Sequence, residues 1–364
     1  MSHSVPSKSP SSSSKGGLEW LQERIPVDLN TLRNFSSEPV PHHLKSWWWC
    51  LGGTAAYLFI VQVVTGILLT LYYVPAASEA YDSVQRIGTV VPYGWFIRSI
   101  HKWSSNLMIV AVILHMMRVF FTGAYRKPRE LNWMIGIGLV AVTLFFGFTG
   151  YSLLYEQLSY WGITVAGNLT EAVPLIGDQL ARLLRGGETI GDNTLTRFFI
   201  LHIGILPTVI TLLLFGHILL VRLHRVTEFE FKKDAQSDSE SKTFPFYPDH
   251  FLTELIIALG LTILLTCLVL IFPAELGEKA NPLQTPAHIK PEWYFYWTFR
   301  WLQLTGLQIA VITMGLMGLT ALFWPFIDAR IRRRNPASEI SVWVGVVAVL
   351  FLITLTLWEA MASG

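Results

Sequence analysis

Two histidine pairs lie inside long apolar stretches of this chain and constrain its fold more than any other feature. Thirteen residues lie between His101 and His115, and fourteen lie between His202 and His217. On a helix that rises about 1.5 Å per residue, each pair spans roughly 21–23 Å. The hydrocarbon core of a bilayer is about 30 Å thick. Each helix is therefore predicted to cross a membrane and to present one imidazole near each side of it.

The composition is typical of a membrane protein. Of the 364 residues, 52% are hydrophobic and 14% are charged, and the mean hydropathy is +0.45. Soluble domains usually carry about 25% charged residues. The small net charge of +2 argues against nucleic acid as a partner, and two cysteines make a disulfide framework improbable. Residues 1–37 are predicted to form a disordered or amphipathic N-terminal segment, and the start of the chain does not resemble a cleaved secretory signal.

Runs with few or no charges predict seven membrane-spanning helices in an all-α membrane protein. No segment is long and polar enough to form a separate soluble domain with its own core. The spans are predicted at residues 48–74 and 95–122, and between Glu130 and Glu156, Arg197 and Arg222, Glu254 and Glu275, Arg300 and Asp328, and Glu339 and Glu359.

Basic residues near the ends of the spans predict the orientation. Arginines and lysines are concentrated in the second, fourth and sixth connections, which fall on one side if the spans alternate. That side is predicted to be cytoplasmic, and it holds the N-terminus. The third connection, about 40 residues long, lies on the outer side, and its apolar runs at 173–176 and 180–184 predict short amphipathic helices. Loops of this length are usually functional or disordered.

Two pairs of glycines repeat the histidine interval on other spans. Alternating span direction places one glycine of each pair at the outer level, with His101 and His202, and the other at the inner level, with His115 and His217. Glycine allows a flat ligand to approach the backbone. These two levels predict two bis-histidine haems in a four-helix bundle, followed by three further spans. The glycines are Gly66 and Gly150 at the outer level and Gly52 and Gly136 at the inner level.

The fourth span has one more residue between its histidines than the second. Fourteen residues return a helix to within about 40° of the same face, whereas fifteen overshoot by about 60°. We expect Pro207 to kink the helix and absorb the additional residue. Arginines lie near both levels and are predicted to pair with the anionic haem propionates. They are Arg98 and Arg197 at the outer level and Arg118 and Arg222 at the inner level.

Ordinary packing could explain each of these residues alone, because polar histidines and glycines occur at helix contacts and arginines at span ends mark topology. Their coincidence in one two-level arrangement favours haem ligation. Two other functions stay open. One is a transporter-like membrane protein whose histidines relay protons. The other is a haem-b membrane anchor of a dehydrogenase or hydrogenase, which would pass electrons without bifurcation.

Four stretches of this sequence resemble cytochrome b of the quinol-oxidising bc complexes. They are FIRSIHKWSSNLMIVAVILHMMRVFFTGAYRKPRELNW, GFTGYSLLYEQLSYW, LLRGGETIGDNTLTRFFILH and PEWYFYWTF. The fourteen-residue gap and the seven spans resemble cytochrome b6 fused to subunit IV of the b6f complex. The resemblance implies a b6-like four-helix di-haem domain at 38–226, a polar linker at 227–243 and a subunit IV-like three-helix domain at 244–364.

The resemblance implies the core subunit of a quinol–cytochrome c or plastocyanin-type reductase in a bacterial plasma membrane. Quinol would be oxidised at an outer site, with one electron passing to a Rieske iron–sulfur protein. The other electron would cross both haems to an inner quinone site, coupled to proton translocation. The resemblance further implies a c-type cytochrome subunit and a homodimer.

Three residues receive roles from the resemblance. Cys50, in the string CLGG, matches the position where b6f complexes attach a c-type haem through one thioether, although the chain lacks C-x-x-C-H. Glu292 and Tyr294 belong to the PEWY motif of the outer quinol site. A partly desolvated carboxylate such as Glu292 can accept a proton near neutrality, although an aromatic belt would explain the neighbouring rings. The sequence departs from the family at Ser152–Gln157, where SLLYEQ replaces SLPWDQ.

Overall fold

The computed structural model describes residues 39–227, 243–286 and 289–362. Within this part of the chain, seven helices are long and apolar enough to cross a bilayer, so the predicted all-α architecture with seven spans is confirmed. The spans are α1 (Leu51–Thr70), α3 (Gly94–Thr122), α4 (Glu130–Ser152), α7 and α8 (Asp192–Ile200 and Leu206–His224, one continuous span), α9 (Phe251–Ile271), α11 (Leu307–Arg334) and α12 (Ile340–Met361).

The connections hold shorter elements. As predicted, the connection between α4 and α7 forms short helices. Its last helix, α6, ends at Gly186, which adopts a positive φ of 81° that glycine accommodates without a steric penalty. These elements are β1 (Pro39–Pro41), α2 (Ala80–Thr89), α5 (Gln157–Glu171), α6 (Gly177–Arg185), β2 (Thr243–Pro245) and α10 (Tyr296–Thr305).

The first four spans pack in two close pairs. Helix α1 packs along α3, and α4 packs along α8. The side chains between α1 and α3 include the buried Leu58, Met108 and Ala111, which also contact Leu265 of α9. Each histidine-bearing helix is therefore paired with one glycine-bearing helix.

The fourth span absorbs its additional residue in a π-helical turn, Leu201–Ile205, which includes His202. A π turn closes its hydrogen bonds to the fifth residue rather than the fourth and so accommodates one residue more. Pro207 follows immediately, at the start of α8. The sequence pointed to the right span, but the adjustment lies upstream of the proline rather than at a proline kink.

The predicted sixth span is divided differently from the expectation. The chain between Trp293 and Phe295 forms a 3₁₀ turn, α10 follows, and α11 begins only at Leu307. Gly306 separates the two helices with φ 78° and ψ 167°, a conformation that side-chain-bearing residues avoid. The PEWY segment thus lies on its own short helical segment next to the span.

Two of the contacts that join the two halves of the chain lie on the inner side. Strand β1 pairs antiparallel with β2, with Val40 opposite Phe244. On the same side of the molecule, Arg126 Nε lies 2.9 Å from Asp328 Oδ2, and this aspartate is 1% exposed. The predicted linker 227–243 lies almost wholly outside the described residues, as does the predicted N-terminal segment, so the proposed domain boundaries stay predictions.

Candidate functional site

The outer level brings His101 of α3 opposite His202. Their ring centroids are 6.3 Å apart and their planes are inclined by 69°. His101 Nδ1 lies 2.9 Å from Thr65 Oγ1, and His202 Nδ1 lies 3.0 Å from Thr149 Oγ1. Each threonine hydroxyl donates to the carbonyl four residues earlier, at 2.6 and 3.0 Å. Each hydroxyl therefore accepts from Nδ1–H, which leaves the lone pair of each Nε2 free for a metal.

The inner level repeats the spacing of the rings but not the threonine contacts at Nδ1. His115 and His217 have ring centroids 6.3 Å apart, with planes inclined by 72°. Arg118 Nη2 lies 3.0 Å from His115 Nδ1. Arg118 Nε is buried and makes no hydrogen bond. A buried donor without a partner is costly, and the carboxylate of a haem propionate would satisfy it.

The separation of the rings matches a metal held between them. With metal–imidazole bonds of about 2.1 Å and about 1.1 Å from each nitrogen to its ring centre, two trans imidazoles have centroids about 6.4 Å apart. Both observed distances are 6.3 Å. The donor set and its spacing therefore fit two bis-histidine haems, one at each level.

The four glycines lie against the edges of the four histidines. From the sequence these glycines are expected to let a flat ligand approach the backbone, and in the structure they make room for the imidazoles. Their contact with a haem stays a prediction. The distances from a Cβ built on each glycine to Cε1 of the facing histidine are 2.8 Å for Gly150 and His202, 3.3 Å for Gly66 and His101, 3.3 Å for Gly52 and His115, and 3.6 Å for Gly136 and His217.

A methyl group at Gly150 should displace the His202 ring, because its Cβ would lie 2.8 Å from Cε1. We expect Gly150→Ala to weaken haem binding at the outer level about tenfold, the lower end of the loss seen when groups that orient metal ligands are altered. Gly136→Ala is the matched control, since 3.6 Å is an ordinary van der Waals distance. Redox-titrated difference spectra of both variants measure the effect. Equal haem content at both levels in both variants would contradict this expectation.

The other three arginines predicted as propionate partners contact protein groups here. Arg98 donates to the carbonyls of Ala274 and Glu275, at 2.9 and 2.7 Å. Arg197 donates to backbone carbonyls of α6, and the Arg222 guanidinium lies 4.8 Å from the centre of the Phe246 ring. Among the four, only Arg118 both contacts a histidine of the pairs and retains an unsatisfied donor.

Comparisons with known proteins agree with this geometry. The family described as "Cytochrome b/b6/petB" matches residues 35–225, and the family described as "Cytochrome b(C-terminal)/b6/petD" matches residues 279–362. The chain belongs to the cytochrome b family. The fused arrangement expected from the sequence fits these two matches.

The individual relatives include subunits of bc-type complexes and cytochrome b6 proteins. A cytochrome bc complex cytochrome b subunit of Chlorobaculum thiosulfatiphilum is 37% identical over 341 residues, which are 92% of this chain and 78% of that protein. Cytochrome b6 of Synechococcus sp. (strain CC9311) is 41% identical over 204 residues, 56% of this chain and 93% of that protein. A chain of a hyperthermophilic respiratory Complex III has a TM-score of 0.78 at 27% identity and covers 95% of this chain and 92% of its own length.

This cytochrome b is therefore a subunit of a bc- or b6f-type complex, which is an oxidoreductase with further subunits, and it is a multi-pass integral membrane protein. Membership of the family implies b-type haem.

Cys50 lies at the inner level, just before α1, and is 1% exposed. Its Sγ lies 3.7 Å from the carbonyl oxygens of Leu44 and Ser46. Burial, with a smaller contribution from the charge of Glu254, raises the pKa of the thiol to about 12. The thiol is therefore neutral at physiological pH. Cys267, the other cysteine, is exposed on α9, where the surrounding surface is apolar.

The PEWY segment lies at the outer level against α3 and α4. Trp293 Nε1 donates to Asn106 Oδ1 at 2.5 Å. Burial raises the pKa of Glu292, and the nearby charge of Lys102 opposes this only partly. Burial also raises the pKa of Tyr294, which is 8% exposed. A partly desolvated carboxylate is thus placed beside a neutral phenol, an arrangement that could accept a proton near neutral pH.

The hydroxyl of Tyr294 lies next to the backbone of α4 at Gly147. A Cβ at Gly147 would lie 2.7 Å from Tyr294 Oη, so this glycine allows the phenol to reach the helix. In the departing SLLYEQ string, Glu156 is 8% exposed and its Oε2 accepts from the Gly277 amide at 2.6 Å. Glu156 thus ties the connection after α4 to the segment that leads to PEWY.

Sequence reasoning missed several residues of these sites. Thr65 and Thr149 each precede one of the outer glycines, so a repeated Thr-Gly dipeptide was the available signal. Arg300 and Glu359 were used only to mark span boundaries. They form a buried ion pair, with Nη2 to Oε2 at 2.8 Å and the Glu359 side chain 2% exposed.

Proposed function

We propose that this subunit oxidises a membrane quinol at the outer level and reduces a quinone at the inner level, with two b haems between them. The observation that carries the proposal is the pair of opposed imidazoles at each level, 6.3 Å apart at both. A proton relay does not require that two histidine pairs share the spacing of a metal between imidazoles. The proposal includes coupling of this reaction to proton translocation.

The four histidines are proposed to hold the irons, His101 with His202 and His115 with His217. When bound, the haems supply one-electron carriage across the bilayer. Thr65 and Thr149 orient the outer imidazoles through Nδ1–H, which fixes the tautomer that binds metal through Nε2. Arg118 is proposed to turn from His115 towards a propionate. Propionate contacts of Arg98, Arg197 and Arg222 stay predictions, because each needs its present contact to change.

At the outer level, Glu292 is proposed to accept a proton from the quinol hydroxyl. Its raised pKa brings its proton affinity nearer to neutral pH. Tyr294 is proposed to line the same site as a neutral phenol that offers an O–H donor, since burial disfavours its ionisation. The position of the PEWY segment against α3 and α4 supports both roles.

The proposed partners follow from membership of bc-type complexes. They are a Rieske iron–sulfur protein, a c-type cytochrome subunit, membrane quinone and a second copy of this chain. The basic connections, including the one that contains Arg126 and Lys127, support an N-terminus on the cytoplasmic side of a bacterial plasma membrane. A third haem, attached at Cys50, is proposed from the buried thiol at the inner level.

Difference spectra of the purified complex test the proposal. We expect reducible b-type absorbance equivalent to two haems per chain, and loss of one of them in His202→Ala. Thr208→Ala is the control, because Thr208 lies on the same span and its hydroxyl donates to the Gly204 carbonyl of that span. A chain without b-type absorbance would overturn the proposal and favour the proton-relay transporter. Haems without quinol oxidation in the intact complex would favour the membrane anchor.

A further inference from the structure

One exposed side of α11 is apolar along the span and ends in three arginines at the inner end of the helix. The apolar side chains on this side are between 37% and 57% exposed. They recur at intervals of three or four residues and therefore form one stripe along the helix. The stripe contains Ile312, Leu316, Leu319, Phe323, Phe326 and Ile327. The three arginines that follow are also exposed, and they are Arg330, Arg333 and Arg334.

The arginines continue the direction of this apolar stripe. Seven residues turn a helix by about 700°, which returns to within about 20° of the same direction. Each arginine follows an exposed apolar residue of the stripe by seven positions. The pairs are Phe323 with Arg330, Phe326 with Arg333, and Ile327 with Arg334. The three guanidinium groups therefore belong to the side of the helix that meets acyl chains.

The opposite side of the same turn is paired within the protein. Asp328 is 1% exposed, and Arg332 Nε lies 3.2 Å from its Oδ1. Arg332 also donates to the Pro336 carbonyl at 3.0 Å. By contrast, the three arginines of the stripe make no hydrogen bond or ion pair within the part of the chain that the structure describes. Their charges are therefore available to a ligand outside the chain.

Two general effects explain only part of this arrangement. Positive charges at the inner end of a span help to fix its orientation, and the dipole of a helix favours cations at its C-terminal end. Both effects act on a cation at any side of the last turns, so Arg332 serves them equally well. Neither effect requires three arginines in line with the lipid-exposed side chains.

We propose that Arg330, Arg333 and Arg334 bind the headgroup phosphate of an anionic phospholipid whose acyl chains lie along the stripe. Arg330 lies about 4.5 Å further along the helix axis than Ile327. The headgroup layer on each side of a bilayer is about 5–8 Å thick, so the guanidinium groups reach the depth of the phosphates. Guanidinium binds phosphate through paired hydrogen bonds, and clustered basic residues favour anionic over zwitterionic lipid. This site is independent of the haems and of the quinol site.

Native mass spectrometry of the delipidated complex, titrated with phosphatidylglycerol or with phosphatidylcholine, tests the proposed site. We expect phosphatidylglycerol to bind each chain more tightly than phosphatidylcholine. Replacing all three arginines by glutamine should weaken phosphatidylglycerol binding about 10²-fold, since each basic residue contributes a factor of roughly five. Phosphatidylcholine binding should stay unchanged. Inorganic phosphate should not displace the lipid, because it has no acyl chain to contact the stripe.

Lys45→Gln is the matched control. Lys45 is an exposed cation of the inner side, and its Nζ lies 5.2 Å from the centre of the Phe244 ring, away from the stripe. This variant should keep the affinity for phosphatidylglycerol. If the triple variant does not accumulate, Arg330→Gln and Arg334→Gln each retain most of the positive charge and should each weaken binding about fivefold.

Three results would overturn the lipid site. One is equal affinity of the unaltered protein for the two lipids, and another is unchanged phosphatidylglycerol affinity in the arginine variants. The third is loss of a protein subunit, with no loss of lipid, from the triple variant, which would assign the stripe to a partner helix.

Discussion

Glutamine in place of Glu292 should lower the rate of quinol oxidation by about 10²-fold or more, within the range that general base catalysis supplies. Glutamine keeps the size of the side chain but cannot accept a proton. Because the Glu292 side chain is partly buried, with the charge of Lys102 on α3 nearby, we expect water to replace it poorly as a proton acceptor. The quinol KM should change less than kcat, since the lost interaction is needed chiefly in the reacting state.

The pH profile of the same variant separates proton transfer from packing. Only an ionised Glu292 accepts a proton, and burial raises the pKa of this group. The rate in the unaltered protein should therefore rise as the pH increases through that raised pKa, and it should fall as the pH drops below it. Glu292→Gln should lack this limb. Glu278→Gln, an exposed carboxylate of the same connection, is the control and should retain it. A limb that persists in Glu292→Gln would assign the titration to another group.

Removing Glu359 should cost about 3–5 kcal/mol of stability, because it leaves the Arg300 guanidinium buried without its counter-charge. The two side chains are 14% and 2% exposed, and the Arg300 guanidinium lies 5.0 Å from the centre of the Trp358 ring. We expect Glu359→Leu to shorten the half-life of the complex in thermal inactivation sharply. The pair joins α10, which follows PEWY, to the end of α12, so quinol oxidation should fail before haem is lost.

A double variant distinguishes the cost of an unpaired charge from lost packing. Arg300→Met combined with Glu359→Leu should recover most of the stability, since apolar replacements of a buried pair are often neutral or favourable. Glu79→Gln is the contrasting single change. Its partner Arg86 is 4.0 Å away and both side chains are about half exposed, so the cost should stay below about 1 kcal/mol. A double variant no more stable than Glu359→Leu would show that the pair stabilises the protein through side-chain packing and not through its opposite charges.

Runs with few charges and nearly equal intervals were sufficient to predict the seven spans and the two histidine levels. These predictions need only the local sequence, because helix rise and bilayer thickness are nearly constant. The pairing of α1 with α3 and of α4 with α8 could not be predicted from the sequence, because it depends on which helix faces pack together. For this reason Gly150 was expected to face a flat ligand, whereas the ring of His202 lies against it.

The partners of the charged residues that mark span boundaries could not be predicted from the sequence. Glu254, Arg300 and Glu359 each interrupt or end an apolar run, and a single sequence does not reveal whether such a charge faces water or a partner. The structure brings Arg300 to Glu359 across 59 residues of chain. The break before α11 was also missed, since Gly306 departs from helical geometry only through its backbone angles.

The π turn at Leu201–Ile205 has a consequence for the rate of electron tunnelling between the two haems proposed above. Tunnelling depends steeply on the gap between donor and acceptor, and that gap is set by the heights of the histidines along the bilayer normal. A π turn takes up a residue with little added height. The second and fourth spans can therefore differ by one residue between their histidines. The two proposed ligands of each iron still lie at the same depth in the bilayer. The additional residue therefore leaves the distance between the proposed haems, and with it their electronic coupling, nearly unchanged.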